Sequence, residues 1–115
     1  MEDIDHYLHT TDKDIYEPEL LDNMEAGAKM LAKHLKQQSN IYLIVDPDFD
    51  GYSSVAFFLN YLHDWVPSVL SHVTWNFHPG KEHCIDLDLV PPNTNLVIAL
   101  DSASNDLEEQ AALAT

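Results

Sequence analysis

"IYLIVDPDFDG", Ile41 to Gly51, runs five apolar residues into three aspartates at alternate positions and then a glycine. The apolar part is short, unbroken and rich in branched side chains, as in a strand covered on both faces. Asp46, Asp48 and Asp50 then bring like charges together. At an effective dielectric near 20, a pair ~5 Å apart repels by roughly 3 kcal/mol. A fold tolerates this if water screens the charges, if a proton is shared, or if a cation sits among the carboxylates.

Outward from this stretch, the patterning alternates between strand and helix. Upstream, "ELLDNMEAGAKMLAKHLKQQ" (19–38) sets Leu20, Met24, Leu31 and Leu35 on one helical stripe, with Ala28 between. Residues 1–18 are polar and irregular, closed by Pro18. Downstream, "SSVAFFLNYLHDW" (53–65) offers Ser53 or Ser54 as a cap, then an apolar helix that ends before Pro67. Phe57, Phe58, Leu59 and Leu62 are its expected core residues. "HVTWNF" (72–77) alternates like a strand, and "NLVIAL" (95–100) is a second continuous apolar strand. "NDLEEQAALA" (105–114) opens a helix, with Asn105 as the expected cap and Glu108 as its reciprocal partner. Strands alternating with helices imply an α/β fold: three layers, a mainly parallel sheet and helices on both faces. Binding crevices in such sheets lie beyond the carboxyl ends of the strands. Two strands end there in aspartate, Asp46 and Asp101.

Composition narrows the class. The 115 residues suffice for one small core, and 45% of them are apolar, so the chain should fold. Twenty acidic residues against five lysines and no arginine give a net charge of −15. That argues against the whole surface being a nucleic-acid platform, because phosphate contacts come mainly from Arg and Lys. Bound metal ions, or further protein, must supply positive charge to any phosphate substrate. The single cysteine, Cys84, excludes an intrachain disulfide and fits a reducing compartment. The acidic start "MEDIDHYLHTTDKD" is no signal peptide, and no run approaches a membrane span. A cytoplasmic protein without membrane contact is the expectation.

The carboxylates admit several readings. An EF-hand loop would have acidic residues at its positions 1, 3 and 5 and Gly51 at 6, but position 12 is Phe57 rather than Glu, and a strand precedes the loop. A haloacid-dehalogenase-type nucleophile motif would continue from Asp-x-Asp into Thr, where this chain has Asp50. A solvated acidic turn is the bland alternative. The fourth reading is a two-metal phosphoesterase. Carboxylate oxygens suit Mg²⁺ or Mn²⁺, and two such ions can activate a water and stabilise the leaving oxygen of a phosphodiester. Residues two apart on an extended chain project to one side, which would gather the aspartates.

"IYLIVDPDFDGYSSVAFFLNYL" resembles the first motif of the DHH phosphoesterase superfamily: an apolar strand, Asp-x-Asp-x-Asp-Gly, then a small-residue helix start. "NLVIALDSASNDLEEQAALA" resembles that superfamily's second motif, and "YEPELLDNMEAGAKMLAKHL" is similar to the helix before the first motif in RecJ-like single-strand-specific exonucleases. The resemblance implies Asp48 and Asp50 as catalytic metal ligands, Asp46 as a ligand or close support, and Asp101 as the second-motif ligand. It also implies a two-metal Mn²⁺ or Mg²⁺ cofactor and single-stranded nucleic acid, DNA foremost, as substrate, digested 5′→3′. Replication or repair proteins would be partners. Oligoribonucleotides, cyclic dinucleotides or pyrophosphate are alternative substrates, and a non-catalytic replication-accessory module is an alternative role. Pro47 and Phe49 stand where RecJ relatives often have Tyr and a small residue, and Pro47 is closer to the phosphatase branch. The family's Asp-His-His motif would come after the helix of Glu108 and Glu109, past Thr115. Residues 19–115 are therefore expected to be the N-terminal portion of a DHH domain, inactive or nearly so alone.

Other residues invite assignment. His78, His83 and Cys84 could suggest zinc, but no Cys-x-x-Cys or paired-His spacing accompanies them. Lys81 could meet phosphate or remain solvated. Tyr52 and Phe49 could stack on a base or pack under the turn. Ser53, Ser54, Ser102 and Ser104 are turn and cap residues first.

Overall fold

The computed structural model describes residues 4, 7–77 and 85–114. His78, Lys81, His83 and Cys84, named above as candidates, lie outside the described residues. The chain divides into two compact units, Met1–Ala32 and Lys33–Thr115.

The first unit carries two 3-10 turns, Asp12–Asp14 and Pro18–Leu20. Thr11 caps the former: its backbone N–H donates to Asp14 Oδ2 at 2.7 Å, while its hydroxyl accepts from the Lys13 N–H. Leu20 does not join the expected helical stripe. It lies in the second turn, 72% exposed, and helix α1 starts later, at Met24 (Met24–Lys36). Asn23 explains the late start: its φ of 63° is left-handed and interrupts right-handed helix.

The second unit is α/β, as the alternation implies. Its elements are β1 (Ile41–Val45), α2 (Phe49–Trp65), β2 (Val73–Phe77), β3 (Leu96–Leu100) and α3 (Leu107–Leu113). The sheet order is β2-β1-β3, and both pairings are parallel. Every residue of β1 is buried, which is why its run is unbroken rather than alternating. Its side chains feed two cores. Ile41, Leu43 and Val45 pack with Val55, Leu62, Val69 and Val73, with Leu35, Phe58 and Leu59 at the margin. Tyr42 and Ile44 pack on the opposite face with Ile85 and Ala103, and Leu89, Val97 and Leu113 flank them. Burying one Leu-sized side chain is worth roughly 1.5–3 kcal/mol, so the two faces of β1 anchor the unit.

Some expectations are corrected. Helix α2 begins at Phe49, not at Ser53, because Asp48 takes the cap position with an extended backbone. Ser53 instead turns its hydroxyl back to the Phe49 carbonyl at 2.8 Å. Phe57 is 77% exposed and leaves the core to Leu62, which is fully buried. Three successive residues span about 200° of a helix, so Phe57, Phe58 and Leu59 cannot all face inward. Helix α3 is preceded by Asp106 rather than Asn105. The Asp106 carboxylate does not cap; it accepts the Ile85 N–H at 2.6 Å and so ties residue 85 to the start of α3. Among the described residues, no helix is long and apolar enough to cross a membrane.

Candidate metal centre

The parallel register decides what meets at the carboxyl end of the sheet. Val45 stands beside Leu100, so the next residues along each strand are Asp46 and Asp101. Asp48, three residues past the end of β1, caps α2. Carboxylate oxygens of Asp46, Asp48 and Asp101 lie within 4.8 Å of one another. Asp46 is buried, at 4% exposure, while Asp48 and Asp101 are open to solvent.

Three backbone devices hold the group. The Gly51 N–H donates to Asp48 Oδ1 at 2.9 Å, which orients that carboxylate at the helix start. Gly51 also packs against the end of β1: a Cβ at this position would stand 2.4 Å from the Asp46 carbonyl oxygen and 2.7 Å from the Asp46 Cβ. Only glycine permits that approach. Third, Asp101 has φ 71° and Ala103 φ 65°. A left-handed conformation at non-glycine residues costs free energy, and Asp is among the side chains that bear it best. The Gln110 amide, donating to the Ala103 carbonyl at 2.7 Å, steadies this turn.

The donor set fits a hard divalent cation. Ligand oxygens at about 2.1 Å from Mg²⁺ are at most ~4.2 Å apart across the ion. The 4.8 Å limit on the oxygen separations of Asp46, Asp48 and Asp101 lies close above that span. Asp50 is not one of the three. The extended alternation ends at Asp48, because the helix has begun by Phe49, and Asp50 sits exposed on the first turn of α2. The phenol of Tyr42, buried beneath the sheet's second face, has its pKa raised by burial and further by the Asp86 carboxylate.

The sequence shows Gly51 as the last residue of the Asp-x-Asp-x-Asp-Gly motif but not its contact with Asp46, since a close approach leaves no trace in composition. Phe77 escaped notice as well. It ends β2 on the rung of Val45, and Tyr52 of α2 meets its ring at 5.4 Å.

Comparison with known proteins gives two relatives, each 36% identical over 93 residues. One is YorK of Bacillus subtilis (strain 168), named provisionally as an SPbeta prophage-derived single-strand DNA-specific exonuclease. The other is the yorK product of Bacillus phage SPbeta, under the same provisional activity. The match takes in 81% of this chain but 16% of either relative, so the chain spans a small part of the length of the curated relatives it matches. No family model matches the chain, and no solved structure matches it. The similarity is to proteins named as exonucleases.

Proposed function

We propose that this chain forms the first part of the metal-binding domain of a DHH-type, RecJ-like phosphodiesterase that degrades single-stranded DNA from its 5′ end. The observation that carries the reading is the meeting of Asp46 and Asp101, from the ends of adjacent parallel strands, with Asp48 at the cap of α2. The provisional activity of the YorK relatives supports the substrate. With a net charge of −15, the chain has little of its own to offer phosphate, so cations held by carboxylates are the natural bridge.

Mn²⁺ or Mg²⁺, when bound, supplies an activated water and neutralises the phosphodiester oxygens. The chain's own residues do the positioning. Asp46 acts as the buried anchor, fixed beneath the Gly51 backbone. Asp48 serves twice, since a carboxylate has two oxygens: one accepts the capping N–H and the other is available to a ligand. Asp101 closes the group from β3. Asp50, exposed on the first turn of α2, is assigned to a second ion. The start of α2, with its N–H groups facing this end of the sheet, favours the substrate phosphate.

Calorimetric titration with Mn²⁺ tests the reading. The chain should bind the ion, and Asp48→Ala or Asp101→Ala should each weaken binding by at least about tenfold, the lower end of the loss seen even for outer-shell partners. Unchanged binding in both variants would refute it.

A further inference from the structure

Beside the carboxylates stands a feature that the metal chemistry does not need. Tyr52 and Phe77 come from different elements, the first turns of α2 and the end of β2, and their rings meet at 5.4 Å with planes at 66°. This is the edge-to-face arrangement that aromatic quadrupoles favour. Both rings stay about half in water, at 46% and 51% exposure.

Their place relative to the aspartates is fixed by backbone bonds. Phe77 shares a rung with Val45, one residue before Asp46. The Tyr52 N–H donates to the Asp48 carbonyl at 3.1 Å. Across the carboxyl edge of the sheet the order is thus the aromatic pair at β2, Asp46 and Asp48 at β1, and Asp101 at β3. Neighbouring strands are ~4.8 Å apart, so the pair stands about one nucleotide's reach from the carboxylates.

We infer that Tyr52 and Phe77 form a stacking subsite for a nucleobase adjoining the phosphodiester held at Asp46, Asp48 and Asp101. The inference rests on the phosphodiesterase reading and deepens it, because it selects a base-bearing substrate over pyrophosphate. Every base has a π-face, so such a subsite accepts any sequence, provided the strand is single and the base unpaired. Binding energy then comes from the rings, which suits a chain this poor in arginine and lysine.

The test compares binding of a fluorescein-labelled oligothymidylate with an abasic oligonucleotide of equal length, by anisotropy with Mn²⁺ present. The chain should prefer the base-bearing strand by roughly 5- to 150-fold, the range expected of one stacked base. Tyr52→Leu and Phe77→Leu should remove most of that preference while leaving the Mn²⁺ titration unchanged. Photo-cross-linking of the wild-type chain to an iododeoxyuridine oligonucleotide should give adducts at Tyr52 or Phe77, whatever the variants' folding. Equal affinity for the two strands, no binding of either, preference intact in both variants, or adducts only elsewhere would each overturn the subsite. Failure of the metal reading looks different: Mn²⁺ would not bind the wild-type chain at all, even with base preference present.

Discussion

Gly51 has no side chain where none would fit. A helix-interior glycine normally costs roughly 0.5–1 kcal/mol relative to alanine, so Gly51→Ala would ordinarily stabilise α2. Here the new Cβ would lie 2.4 Å from a backbone oxygen of Asp46, which cannot swing aside as a side-chain tip can. We therefore expect Gly51→Ala to destabilise the fold by about 1–3 kcal/mol, in the range of overpacked sites. It should also weaken Mn²⁺ binding by displacing Asp46. Denaturant unfolding and calorimetry on the same variant check both effects; a stabilised protein with intact binding would contradict the argument.

At the scale of elements, α2 shows what amphipathic patterning can and cannot say. Its existence, and its end before Pro67, were legible in "SSVAFFLNYLHDW". Its start was not, because two serines made attractive caps and masked the true one at Asp48. The inward face was partly legible: Leu62 is fully buried, yet Phe57 is 77% exposed in a run where hydrophobicity alone favours both. Leu62→Ala should accordingly cost about 2–5 kcal/mol. Phe57→Ala should stay within about 0.5 kcal/mol, as surface changes do. Urea unfolding of the two variants measures the contrast, and equal losses would mean that α2 is rotated about its axis. Strand β1 was the most legible element, since a centre strand covered on both faces needs an unbroken apolar run. The alignment of Asp46 with Asp101 was expected from two strand ends alone. The sequence carries no register, so only the pairing of Val45 with Leu100 puts them side by side. Asp50 illustrates the opposite case: alternation promised a third neighbour, and the onset of helix removed it from the extended run.

For the whole molecule, charge is the dominant circumstance. A net charge of −15 opposes compaction, and three of the negative groups are gathered at one edge of the sheet. A divalent ion bound to the folded form alone stabilises by mass action, by about 2.7 kcal/mol at a hundredfold excess over its dissociation constant. For a unit of this size that corresponds to a rise in melting temperature on the order of 10–20 °C. We expect Mn²⁺ to raise the melting temperature of the wild-type chain and to raise that of Asp101→Ala by at most about half as much, since a tenfold weaker site keeps only about 1.4 kcal/mol of that linkage. A calorimetric scan with and without the ion reads this directly; an equal rise in both would point to diffuse screening of charge rather than a defined centre.

The left-handed backbone at Asp101 carries one more implication, for how such a protein could change over evolutionary time. Few residues besides glycine, asparagine and aspartate settle into that conformation. Replacement by asparagine would preserve the bend and the packing around Ala103 while erasing the charge. A descendant could thus lose the proposed metal centre by a single conservative exchange and still keep its architecture, which makes position 101 the place to read whether a kindred chain keeps its trio of carboxylates.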